Sequence, residues 1–212
     1  MSRQIIFPSI MAKNQKELDQ ELGNLKGIVK ELHLDLVETS FAPNHSLNFK
    51  FKLNSHFKYQ MHLMVKEPLV WIKRLEKYKE IEQFIPQIEE MRNISGYIFG
   101  CRSRHKKVAF AVKPETKLTE IKLFLKEIDL ILVLTVHPGF YGGKFIPDSL
   151  KKIKEIKKIN PHLKVIVDGG MNPKTIKLAK KAGADYFVSG SYTTKAEKPK
   201  NRLGLLLKSL GK

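Results

Sequence analysis

The sequence predicts an α/β fold: a single-domain (β/α)8 TIM barrel of eight parallel strands over residues 1–212. Three observations carry this. Eight short apolar segments recur along the chain, amphipathic segments of helical period separate most of them, and glycine-rich turns follow the late strands. The chain is just long enough, since such barrels begin at about 200 residues. A doubly wound open sheet has the same alternation, and in either fold chemistry belongs at the carboxyl ends of the strands.

The elements run in order. The first strand is IIFPSI (5–10), followed by a helix over 15–31 and the strand LHLDLVE (32–38). YQMHLMV (59–65) leads into a helix over 68–79, and IEQFIPQI (81–88) into KVAFAV (107–112). Pro86 cannot donate to a ladder, so distortion is expected in that fourth strand. A helix over 117–127 precedes DLILVLTV (129–136); one over 147–159 precedes LKVIVDG (163–169). The helix over 173–182 has Asn172-Pro173 as cap and first residue and Gly183 as its stop. DYFVSGS (185–191) and a tail helix over 201–210 end the series. The connections 44–57 and 91–105 also read as helical, on a thinner pattern.

Composition narrows the class. Cys101 is the only cysteine, which excludes an internal disulfide and suits a reducing cytoplasm. No apolar run approaches the roughly 18 residues of a membrane span, and MSRQIIFPSI lacks the features of a signal peptide, so a cytoplasmic protein with no membrane partner is expected. The net charge of +18 comes mostly from Lys on the outer faces of helical segments. It can draw anionic partners. Without zinc-finger spacing or the aromatic–basic signature of an RNA-recognition sheet, nucleic acid is not the expected one.

LHLDLV (32–37) raises the question of chemistry. Alternation puts Leu32, Leu34 and Leu36 on one face and His33, Asp35 and Val37 on the other. His62 lies near the end of the third strand and Asp168 ends the seventh. Barrel closure would bring these two imidazoles and two carboxylates to one mouth. Buried carboxylates repel unless a positive charge lies between them. A divalent metal meets that need, and nitrogen and oxygen ligands suit zinc, iron, manganese or cobalt. A second constellation is glycine: HPGFYGGKF (137–145), DGGMNP (168–173) and SGS (189–191) follow consecutive late strands, where such barrels hold phosphate.

The ordered set PSI (8–10), HLDLVETSFAPN (33–44), HLMV (62–65), VKPET (112–116), LTVHPGFYGGKFIP (134–147), VDGGMNP (167–173) and SGS (189–191) resembles the ribulose-phosphate 3-epimerase family nearly end to end. The resemblance implies one divalent metal on His33, Asp35, His62 and Asp168. It implies Asp35 and Asp168 as the carboxylates that exchange the C3 proton of D-ribulose 5-phosphate to give D-xylulose 5-phosphate. It implies Ser9, His62 and Met64 as substrate contacts, with phosphate near Gly142, Gly143, Gly169, Gly170, Gly190 and Ser191. Residues 139–145, with Phe140 or Tyr141 shielding the intermediate above Gly139, are expected to form a lid. Departures are visible. Val37 and Leu134 replace methionines, Glu38-Thr39 replaces Asp-Gly, and Tyr141 replaces a glycine. Gln87 and Glu89 are the nearest match to a His-x-Glu pair after strand four. Epimerisation of a six-carbon ketose phosphate, and a non-catalytic barrel binding phosphate or nucleic acid, stay open as alternatives, as does assembly into a homo-oligomer.

Overall fold

A computed structural model describes residues 4–212; the first three positions of the expected domain lie outside the described residues. Eight strands form, each overlapping a predicted segment, with β2 and β3 starting one residue early: β1 (Ile6–Ile10), β2 (Glu31–Val37), β3 (Lys58–Met64), β4 (Ile81–Pro86), β5 (Ala109–Val112), β6 (Leu130–Leu134), β7 (Lys164–Asp168) and β8 (Tyr186–Ser189). All pairings are parallel, in the order β4-β3-β2-β1-β8-β7-β6-β5. The two ends of this sheet meet through one isolated parallel bridge, Gln87 with Ala111. The barrel is therefore nearly closed, with its seam between β4 and β5.

The helices are α1 (Gln15–Leu25), α2 (Pro68–Leu75), α3 (Ile94–Ser103), α4 (Leu118–Ile121), α5 (Ser149–Ile159), α6 (Thr175–Ala182) and α7 (Pro199–Ser209). A 3-10 turn, Lys122–Lys126, continues α4. Three expectations are corrected. The helix expected over 15–31 stops at Leu25, because Lys26 is extended, Gly27 is left-handed and Glu31 already belongs to β2. No helix forms over 44–57. There Leu47, Phe49, Phe51 and Leu53 recur every second residue and pack against one core layer along an irregular path. The helix expected from 173 begins at Thr175, although Asn172 still serves its start by accepting the N–H groups of Lys174 and Thr175. Gly183 ends it in the left-handed region, as expected. Pro86 causes no break: it is the last residue of β4, and the register shift between β3 and β4 lies at the other end, between Tyr59 and Gln60.

Two apolar layers follow from the pleat. Outward residues of β1–β3, among them Ile10, Leu34 and Met61, pack on Leu18, Leu22 and Leu25 of α1. Outward residues of β5–β8, among them Phe110, Val133, Val167 and Phe187, pack on Ile153, Ile156, Ile176 and Leu206. Inward residues Phe7, Ile85, Ala109, Leu132, Ile166 and Tyr186 fill the barrel itself. Among the described residues, no helix is long and apolar enough to cross a membrane.

One polar clasp joins α5 to β7 just before β8. Asp185 accepts the Val165 N–H at 2.9 Å, Lys157 at 2.7 Å and Lys164 at 3.2 Å. Burial raises the Asp185 pKa, but Lys157, Val165 and Lys164 outweigh it and hold the carboxyl below its usual range. Such a group stabilises the fold above its unfolded pKa of about 3.9, and the gain is lost as pH falls through the lower folded value. Asp185→Asn is expected to cost about 1–2 kcal/mol at neutral pH. Urea unfolding at pH 7 and pH 3 should show the gap between variant and parent narrowing at the lower pH.

Candidate active site

At the carboxyl end of the barrel the inner face becomes polar. Ser9 pairs in register with His33, Asp35 with His62, and Leu134 with Asp168. His62 Nδ1 is 3.1 Å from Asp35 Oδ1 and 3.8 Å from Asp168 Oδ2, and His33 Nε2 is 3.4 Å from Asp35 Oδ1. One ligand atom from each of the four lies within 4.8 Å of all the others. The strand positions chosen from the sequence do converge.

The electrostatics of this cluster are uneven. Burial raises the Asp35 pKa, but the adjacent His33 and His62 rings outweigh it and hold the carboxyl well below the carboxylate range. Asp168 has burial and the Asp35 charge against it, only partly offset by His33, and is pushed up to about 7. His33 loses basicity to burial but recovers more from Asp35, so its pKa is raised; for His62 burial wins and the pKa falls. Both ring nitrogens of His33 are buried without a hydrogen-bond partner. A divalent cation fits this donor set: it would occupy orphaned nitrogen and relieve the repulsion that forces Asp168 up. The cluster can hold a metal ion.

Neighbouring residues support two of the four, Asp168 and His62. Thr135, buried at the end of β6, donates its hydroxyl to the carbonyls of Asp168 (2.9 Å) and Gly169 (2.6 Å), and its N–H to Asp168 O (2.7 Å). Gln87 Nε2 lies 3.0 Å from His62 Nε2. Glu89 turns away and accepts from Lys113 N–H and the Thr116 hydroxyl. Sequence reasoning missed Thr135; a lone hydroxyl ending the apolar run LILVLT was its only signal.

The glycine turns cover the cluster. A small cavity is lined by Ser9, Asp35, Met64, Leu134, Asp168 and by Gly139, Phe140, Gly142, Gly143, Gly169, Gly170, Gly190 and Ser191. His33 and His62 are fully buried and do not line it, so His62, expected also as a substrate contact, lies beneath the floor. Gly169 has φ +111, and a Cβ there would come within 2.5 Å of Val136. A Cβ on Gly190 would come within 2.5 Å of the Tyr141 ring and 2.7 Å of Ser9 Oγ. Both close approaches need glycine.

Tyr141 ties the loop after β6 to the end of β1. Its hydroxyl accepts the Met11 N–H at 2.8 Å and donates to Ser9 O at 2.9 Å. Asn44 holds the same loop from the β2 side by donating to Gly139 O at 2.6 Å. Phe140, by contrast, is 52% exposed, so of the two aromatics Tyr141 is the one held against the site.

Comparisons with known proteins bear on the family and on the fold. The model of the "Ribulose-phosphate 3 epimerase family" matches residues 5–194. The chain is 31% identical to a ribulose-phosphate 3-epimerase of Schizosaccharomyces pombe, covering 98% of this chain and 94% of that protein. It is 30% identical to a cytoplasmic isoform from Oryza sativa subsp. japonica, covering 97% and 93%. A mutant tryptophan synthase α-subunit from Pyrococcus furiosus superposes with a TM-score of 0.69 at 15% identity, covering 98% of both chains, which supports the barrel fold alone. With a family model spanning most of the chain and relatives matched nearly end to end, the chain belongs to the ribulose-phosphate 3-epimerase family.

Proposed function

We propose that this protein epimerises C3 of D-ribulose 5-phosphate to give D-xylulose 5-phosphate, with Asp35 and Asp168 as the proton-transfer pair. The carrying observation is that these two carboxylates reach the cavity floor from different strands, β2 and β7, beside a cluster that can hold a metal ion. Two carboxylates on different strands can exchange a proton with opposite faces of a substrate held between them. The C3 proton is acidified by the C2 carbonyl. One aspartate removes it from one face, an enediolate forms, and the other aspartate delivers a proton to the opposite face.

His33, Asp35, His62 and Asp168 would hold a divalent metal, which when bound supplies electrophilic stabilisation of charge developing on the substrate oxygens. Ser9 and Met64 orient the sugar. The backbone around Gly142, Gly143, Gly169, Gly170, Gly190 and Ser191 receives the phosphate, to which a Lys-rich exterior lends long-range attraction. A cytoplasmic location agrees with the lone cysteine and with the rice isoform.

The cavity has a volume of only about 50 Å³, whereas ligand pockets usually offer about 300–1,000 Å³. A ketopentose phosphate therefore needs the 139–145 loop to lift. The Tyr141 hydroxyl is the clasp that must release, and the loop acts as a lid.

Three outcomes test this reading. Elemental analysis of purified protein should find one divalent ion per chain, and His33→Ala should lose it; a metal-free protein indifferent to chelators contradicts the metal assignment. Asp35→Asn and Asp168→Asn should each lower kcat at least about 100-fold, the low end of what one general acid or base contributes. A coupled xylulose 5-phosphate assay reads this, and C3 deuterium uptake from heavy water distinguishes pentose from hexose substrates. Tyr141→Phe should speed amide exchange across 139–145 in the unliganded protein while leaving 163–167 unchanged; equal exchange in both proteins removes the clasp.

A further inference from the structure

Gln87 is fully buried at the barrel seam, in direct reach of one histidine of the cluster. Its Nε2 lies 3.0 Å from His62 Nε2, while its Oε1 is buried without a partner. On the other side of the ring, Nδ1 is 3.1 Å from Asp35 Oδ1. A neutral imidazole carries one hydrogen, on either nitrogen. Without a cation, Nδ1–H donates to Asp35 and Nε2 accepts from the Gln87 amide N–H. With a cation at the cluster, Nδ1 must offer its lone pair, and the hydrogen moves to Nε2, where it needs an acceptor. A primary amide has a carbonyl and an NH2 of nearly equal shape, so a half-turn of the Gln87 side chain supplies it.

We infer that Gln87 is the positioning residue for His62, serving both of its tautomers: amide N–H donor to the bare ring, carbonyl acceptor to the metal-bound one. Outer partners of this kind fix ligand orientation and commonly govern metal affinity 10- to 100-fold. A carboxylate there would serve only the metal-bound tautomer and add a third negative charge beside Asp35 and Asp168. A neutral amide avoids that charge and leaves the empty site stable. Gln60 stands in a comparable place for His33: the two are opposite in register, and Gln60 Oε1 is also buried without a partner. The inference rests on the metal-binding reading above, but the contact itself can be tested without a metal.

The variants are Gln87→Met, which keeps the volume and removes both hydrogen-bonding roles, and Gln87→Glu, which keeps only an acceptor. The readouts are histidine 15N resonances of the metal-free protein and zinc affinity by chelator competition, with circular dichroism to establish folding. Metal-free parent should carry the His62 hydrogen on Nδ1 with none on Nε2, and Gln87→Glu should place a hydrogen on Nε2. Gln87→Met should bind zinc 10- to 100-fold more weakly than parent, and Gln87→Glu should recover most of that loss. Parent-like zinc affinity in Gln87→Met, or a His62 Nε2 that stays without a hydrogen in Gln87→Glu, overturns the inference. If Gln87→Met fails to fold, the Gln87→Glu resonances decide. A parent that binds no zinc defeats the metal reading instead, and the same metal-free resonances still decide the role of Gln87.

Discussion

The pleat of β2 is the constraint on which the site depends. Side chains alternate, so Leu32, Leu34 and Leu36 must face α1 if His33 and Asp35 are to face the barrel axis. Parallel register then places Asp35 opposite His62 and His33 opposite Ser9. A slip of one residue would press an imidazole and a carboxylate into a layer of leucines and turn the leucines towards the polar mouth. Neither layer tolerates that exchange, because an unpaired buried charge is costly and the apolar layer would lose its packing. The core and the chemistry therefore enforce each other.

From that register follows the unequal state of the two carboxylates. Asp35 has both histidines within 3.4 Å, whereas Asp168 approaches His62 only to 3.8 Å and faces the Asp35 charge. Identical side chains are thus set apart by position alone. Thr135 holds Asp168 through its backbone carbonyl, and the Gly169 backbone N–H supports the carboxyl itself. The excess of lysine plays no part in this cluster, whose members are all buried or nearly so and whose charges are set by one another.

Much of this was legible in the sequence. Apolar runs bounded by turns located all eight strands, since buried parallel strands are continuously apolar and hard to mistake in series. The four polar residues stood out because they interrupt those runs at the strand ends. What was not legible depends on tertiary placement. The segment 44–57 was misread because its period-two apolar residues lie among polar ones, and packing against the outer layer, not local propensity, decides its path. The roles of Gln87 and Glu89, two residues apart, could not be separated until the seam turned one inward and the other towards Thr116. The Tyr141 bond to Ser9 joins residues 132 positions apart, beyond any local pattern.

The seam between β4 and β5 has a wider meaning. Seven of the eight strand junctions are ladders; the eighth is the single bridge at Gln87. Fluctuations that split the cylinder lengthwise should begin there, as the least-bonded junction opens at the lowest free-energy cost. Because Gln87 also touches His62, opening the seam disturbs the cluster, and by linkage any ligand that requires the intact cluster works as a fastener for the whole cylinder. At 100 times its dissociation constant such a ligand adds about 2.7 kcal/mol against opening. An ion bound at the mouth would thus govern how often the wall parts, and with it the lifetime of the folded chain in the presence of proteases.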